Sequence, residues 1–182
     1  YATELVTQII NLNKGIYLNG IAADHKANFC IGVAGYPEKH IEAPSLTSDL
    51  ARLKEKVDAG ADYVVTQMFF DNSIFYNFMY KLRSAGVTIP VVAGIMPVTN
   101  VNQLKKIKEL SNANIPSKFL SIADKFQDDK DSMKQAGIIY ACNQIIDLIS
   151  NGVNNIHIYT MNNASVAKQI MQNMSHIVNH KF

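Results

Sequence analysis

Residues 63–71 read YVVTQMFFD, in which only Thr66, Gln67 and the closing Asp71 are polar. A short run of β-branched and aromatic residues with so few breaks reads as a strand covered on both faces, the pattern of a parallel sheet. Inside it sits a primary amide, Gln67, with two N–H donors and two lone pairs to satisfy. Each buried polar group left unpaired costs on the order of 1–3 kcal/mol. Gln67 lies inside the strand, so capping the next helix does not explain it.

Working outward, helix and strand patterns alternate. Leu46, Leu50, Leu53 and Val57 form one apolar stripe over 46–59, with Ser45 as the N-cap and Gly60 as the stop. Beyond the central strand, 73–85 places Phe75, Phe78, Met79 and Leu82 on one face, between Asn72 as a cap and Gly86. Further strands are expected at 29–35, 89–96 and 155–160. Further helices are expected at 3–13, 101–110, 117–126, 131–150 and 164–174, with Leu104 and Ile107 inward on the 101–110 helix. Met133, Gly137, Ala141 and Ile145 are assigned to the core. Four mostly apolar strands separated by helices build right-handed βαβ units, in an open doubly wound sheet or a (β/α)8 barrel. No G-x-G-x-x-G follows a strand, which weakens the open dinucleotide-binding sheet. Four strands make about half of a barrel, whose usual size is ~250 residues.

The 182 residues are 48% hydrophobic with a net charge of +2. This describes a globular chain, not a disordered one, and offers no basic patch for nucleic acid. No apolar run approaches the ~20 residues of a membrane span. Cys30 and Cys142 lie far apart in apolar runs and read as two buried free thiols in a reducing compartment. No Cys or His spacing suggests a metal site. The chain opens at Tyr1 inside a helical pattern, so an N-terminal portion is expected to precede it.

The polar residues gather where strands end: Tyr36–His40, Thr66–Gln67 with Asp71–Asn72, Pro97–Asn100, and Tyr159–Asn163. In a parallel barrel these ends form one rim, the usual place of catalysis. Asp71, Asn72 and Asn100 read first as helix caps. By strand parity, Val65 and Phe69 share the inner face with Gln67, while Val64, Thr66 and Met68 face the helices. Gly32, Ala34 and Tyr36 face inward too, leaving room for a flat ligand, and Ile31 and Val33 face the helices. His157 and Tyr159 share a face. Asp49, Arg52 and Lys56 share one side of the 46–59 helix and read first as a solvated charge ladder.

GVAGYPEKHIEAPS (32–45), SDLARLKEKVDAGADYVVTQMFFD (48–71), AGIMPVTN (93–100) and IHIYTMNN (156–163) together resemble methylenetetrahydrofolate reductase. The resemblance runs from Tyr1 to the last helix. It implies a single α/β domain, the last four βα units of a flavin-binding (β/α)8 TIM barrel. It further implies that the full-length enzyme is a homo-oligomer. The implied cofactor is FAD, reduced by NADH or NADPH. The implied reaction turns 5,10-methylenetetrahydrofolate into 5-methyltetrahydrofolate for methionine synthesis.

Its expected location is the cytoplasm, with a small-molecule folate as partner and neither nucleic acid nor a membrane.

Residue by residue, the resemblance puts Tyr36, His40, Ala43, Asp49 and Lys56 on positions that contact FAD. Arg52 falls on a cofactor-contacting position that is often Asn in relatives. Gln67 falls on the glutamine that hydrogen-bonds the pterin and meets the nicotinamide, and Gln103 on a folate-contacting position. Tyr159 lies at the mouth near the substrate. Two positions depart from the pattern: Ile107 replaces a Phe that packs on folate or nicotinamide, and Asn163 replaces an Arg that contacts substrate, losing a fixed charge and its fork geometry. The family's glutamate general acid and an Arg-Gly-Asp stretch at the flavin would precede residue 1. The alternative is a non-catalytic half-barrel that binds folate or flavin, or a subunit of a split enzyme.

Overall fold

The computed structural model describes residues 1–22, 24–111 and 113–178, the side chain of Leu110 excepted. Its strands are β1 (Gly32–Gly35), β2 (Tyr63–Thr66), β3 (Val91–Ile95) and β4 (Ile156–Ile158). They form one parallel sheet in the order β1-β2-β3-β4. The helices are α1 (Ala2–Lys14), α2 (Leu46–Asp58), α3 (Asn72–Ser84), α4 (Val101–Ser111), α5 (Ser117–Phe126), α6 (Lys130–Ser150), α7 (Ala164–Asn173) and a short α8 (Ser175–Val178). The alternation expected from periodicity is present throughout; only α8 was not anticipated. Each strand is shorter than the stretch expected for it: β1 begins after the start of 29–35, and β2, β3 and β4 end before their stretches do.

The main core lies on one face of the sheet. Val33, Val64, Val91, Ala93 and Ile95 point there and meet Leu53 of α2, Phe75, Phe78 and Leu82 of α3, Ile138, Ala141 and Ile145 of α6, and Val166 and Ile170 of α7. A second core, built from Met68, Phe70, Met96, Val98, Leu104, Ile107, Phe119, Ala123 and Met133, sits beyond the carboxyl ends of β2 and β3 under α4 and α5. The opposite face of the sheet carries Gly32, Ala34, Tyr63 and Val65, which line a cleft. Packing on one face with sequential strand order, and no reversal in that order, departs from the doubly wound arrangement, which covers both faces.

The starts of α2 and α3 are capped by side chains. Ser45 Oγ accepts the Ser48 N–H at 3.1 Å, as an N-cap should, and Gly60 follows α2 with a φ of 115°. The cap of α3 is Asp71 and not Asn72: the Asp71 carboxylate accepts the Ser73 N–H at 2.9 Å. Asn72 instead donates to the Gln144 carbonyl at 3.0 Å and to Asp147 at 2.6 Å, tying α3 to α6. Asp71→Ala should therefore cost about 1 kcal/mol. That corresponds to a melting temperature lower by roughly 2–4 °C in a thermal scan.

Cys142 is buried, as anticipated, but Cys30 is exposed. It precedes β1, the edge strand of the sheet among the described residues. Among the described residues no helix is long and apolar enough to cross a membrane.

Candidate active site at the carboxyl ends of the strands

Gly32, Val33, Ala34, Tyr36, Tyr63, Val65, Gln67 and Tyr159 line a cleft of about 190 Å³. Parity holds as far as Gln67, which shares the cleft with Tyr63 and Val65. It fails beyond: Phe69 turns to the helix side, where its ring stacks on Phe75 at 5.1 Å. Met68 enters the second core. The β2 ladder ends at Thr66, so the alternation of a strand no longer governs the residues after Gln67. Thr66 is also buried, but its hydroxyl turns sideways to the Gly94 N–H at 2.9 Å.

The Gln67 amide is lightly held. Its Oε1 accepts the Met68 N–H at 3.1 Å, and Nε2 has no partner among the described residues. Its backbone N–H is firmly placed, donating to the Gly35 carbonyl at 2.7 Å. The amide therefore stands on the cleft wall with donor capacity to offer, on a fixed main chain.

Tyr36, His40, Asp49 and Lys56 come together at the end of β1. The Tyr36 and His40 rings meet edge to face at 4.7 Å. Asp49 Oδ2 accepts the His40 N–H at 2.9 Å, and Lys56 Nζ donates to the Ala34 carbonyl at 2.7 Å. Burial pulls the Lys56 amine below its ordinary range, and the Asp49 carboxylate opposes that shift. Burial raises the Tyr36 phenol, and Asp49 adds to it. The solvated-ladder reading thus fails for Asp49, which holds the His40 main chain, and for Lys56, which bonds to β1. It holds for Arg52, which is exposed; the helical ion pair of α2 is Lys54–Asp58 at 2.8 Å.

Ala43 is buried in the loop before α2, and its carbonyl accepts the Lys39 ammonium. Lys39 has a φ of 110°, which a non-glycine residue adopts only at a cost of order 1–3 kcal/mol. Glu38 reaches across to the Asn114 N–H at 2.9 Å, and burial raises its carboxyl.

The remaining candidates are spread out. Gln103 Oε1 accepts the N–H groups of Thr99 and Asn100 at 2.8 and 3.2 Å, so it holds the start of α4. Asn100 caps as anticipated, its Oδ1 accepting the Asn102 N–H. Ile107 is 1% exposed in the second core and does not reach the cleft. Asn163 is exposed before α7 and accepts from the Ser165 hydroxyl at 2.8 Å. Tyr159 does reach the cleft, its ring edge to face with His157 at 4.6 Å and its hydroxyl on the Thr66 carbonyl at 2.9 Å. Burial raises its phenol, and Tyr36 adds to the shift.

Sequence reasoning missed Tyr63, Thr66 as a hydrogen-bonding residue, and Gly94. Gly94 stood inside the quoted AGIMPVTN, but its meaning is steric: a Cβ there would lie 2.3 Å from the Thr66 carbonyl oxygen. A larger cavity of about 480 Å³ lies between α5 and α6. Asp71 and Asn72 line it, but none of the residues that the resemblance assigns to cofactor or substrate does.

A parallel sheet packed on one face, with a cleft on its open face that reaches the carboxyl ends of β1 and β2, places the chain among α/β proteins. A family model described as methylenetetrahydrofolate reductase matches residues 1–175, and the chain belongs to that family. The 5,10-methylenetetrahydrofolate reductase of Escherichia coli (strain K12) is 38% identical over 170 residues, covering 93% of this chain and 53% of the relative. Methylenetetrahydrofolate reductase (NADH) 1 of Arabidopsis thaliana is 36% identical over 166 residues, covering 86% of this chain and 28% of the relative. The chain thus spans about half the length of the E. coli relative. A solved structure from Clostridium thermocellum shares the fold with a TM-score of 0.52 at 15% identity, over 81% of this chain and 54% of that one. It is described as an uncharacterized protein that binds two copies of 5-methyl-5,6,7,8-tetrahydrofolic acid.

Proposed function

We propose that this chain forms the C-terminal part of a (β/α)8 barrel in a cytoplasmic, flavin-dependent methylenetetrahydrofolate reductase. In this reading NADH or NADPH is the reductant, 5-methyltetrahydrofolate is the product, and the product feeds methionine synthesis. Family membership supports the reaction, and the name of the Arabidopsis relative supports a nicotinamide reductant. The folate named for the Clostridium structure agrees with the substrate class.

The residues at the end of β1 suit FAD. Lys56 is a half-buried ammonium compensated, among the described residues, by one carbonyl and a nearby carboxylate. An anionic diphosphate would complete that compensation. Tyr36 and His40 offer an aromatic corner, Ala43 a small buried neighbour, and Asp49 holds the His40 main chain. Arg52 would reach in from the exposed side of α2. A bound flavin supplies a two-electron relay between nicotinamide and folate. Gln67 orients the ring that lies against the cleft, with Tyr159 beside it. Gln103 and Asn163 would meet the folate from the rim, while Ile107 packs behind. The general acid would come from outside this chain.

The observation that carries the reading is the Gln67 amide on the cleft wall, its Nε2 without a partner among the described residues. In the full-length protein, Gln67→Ala should leave the melting temperature within about 2 °C, because the amide makes one local contact. It should slow flavin reoxidation by methylenetetrahydrofolate several-fold for a lost neutral hydrogen bond, and by about tenfold or more where alignment is lost. Reduction by the nicotinamide should slow less. Stopped-flow measurement of the two half-reactions checks this. Unchanged rates with a sharply lower melting temperature would make Gln67 a structural amide.

A further inference from the structure

Thr66 is fully buried, and both of its oxygens are used in an unusual order. In the β2–β3 ladder, Val64 pairs with Val91 and Val65 with Val92, and the Val64 N–H donates to the Pro90 carbonyl. The regular continuation of a parallel ladder would bring the Gly94 N–H to the Thr66 carbonyl. Instead the Gly94 N–H donates to Thr66 Oγ1 at 2.9 Å. The released carbonyl accepts the Tyr159 hydroxyl at 2.9 Å. Tyr159 follows β4, so its ring must pass over β3 to reach β2. It can do so because residue 94 is glycine: a Cβ there would stand 2.7 Å from Tyr159 Cε2.

We propose that Thr66 and Gly94 are positioning residues, in which the Thr66 hydroxyl replaces its own carbonyl in the ladder and so frees that carbonyl to hold the Tyr159 phenol beside Gln67. The clamp spans three strands and sets the spacing of two groups on the cleft wall. Thr66 immediately precedes Gln67, so the residue that anchors the phenol also anchors the amide. What the clamp positions them for rests on the reductase reading above; the clamp itself does not.

The test uses Thr66→Val, which keeps the shape and removes the hydroxyl, in the full-length protein. The Gly94 N–H should then recapture the residue 66 carbonyl and displace the phenol. A crystal structure should show the Tyr159 hydroxyl more than about 3.5 Å from that carbonyl, outside hydrogen-bonding range. Flavin reoxidation by methylenetetrahydrofolate should slow about fivefold, matching Tyr159→Phe. The double variant should be no slower than Tyr159→Phe alone, because both changes break one contact. Thr66→Ser should restore both geometry and rate. A Thr66→Val crystal structure with the phenol still on the carbonyl would overturn the proposal, as would additive losses in the double variant. Where Thr66→Val does not fold, Thr66→Ser against Thr66→Ala decides by the same two readouts. A wild-type protein without folate reductase activity would refute the reductase reading alone, and the crystallographic comparison would still decide the clamp.

Discussion

Gly137→Ala should lower the melting temperature by roughly 6–12 °C. A Cβ built on Gly137 lies 1.8 Å from the Val98 carbonyl oxygen and 2.7 Å from its carbon. Both neighbours are main chain, so no side chain can rotate away, and α6 itself must move. Overpacking costs typically 1–3 kcal/mol, and a clash between two backbones belongs at about the upper end. The displacement would reach the site. Tyr140 of α6 donates to the Phe70 carbonyl at 2.7 Å, and Gln144 Nε2 to the Phe69 carbonyl at 3.2 Å. These bonds hold the segment directly after Gln67. Thermal unfolding followed by circular dichroism checks the prediction; a melting temperature within about 2 °C of wild type would contradict it.

Lys56→Glu should weaken FAD binding by about 10- to 100-fold in the full-length protein, the loss of a charge-assisted contact. The charge is costly where it sits. Burial holds the folded pKa of Lys56 below its unfolded value, with Asp49 opposing. Below both values the amine is charged in both states, and the folded state carries the desolvation cost. As pH rises through the window between them the folded amine loses its proton first, and the stability of the flavin-free protein rises. An anionic ligand would reverse that trend by favouring the charged form. Titration of FAD into flavin-free wild type and Lys56→Glu measures the affinity difference. Equal affinities would return Lys56 to a structural role on the Ala34 carbonyl.

Much of the fold was legible because it is written locally. The stripes Leu46–Leu50–Leu53–Val57 and Phe75–Phe78–Leu82 mark the buried sides of α2 and α3, and α5 has the bounds that periodicity suggested. Gln67 stood out as a polar break in an apolar strand, and it does face the cleft. The errors arose where local rules stop applying. Phe69 left the inner face because the ladder ended three residues earlier, and Asp71 displaced Asn72 as the cap because its carboxylate reaches the Ser73 N–H. Asp49 and Lys56 resembled a surface ladder because helical spacing reports which residues are neighbours, not what lies opposite them.

By itself, then, the sequence determined the kind and order of the elements and the family to which the chain belongs, since apolar period, caps and motifs need no knowledge of distant neighbours. Only the tertiary structure decided which polar atoms meet. Lys56 finds the Ala34 carbonyl across 22 residues, and Thr66 finds Gly94 across 28 and Tyr159 across 93. A hydrogen bond depends on direction and on a partner within about 3 Å. Both are set by strand order and register, so the same Thr66 that reads as an ordinary strand residue becomes the junction of three strands.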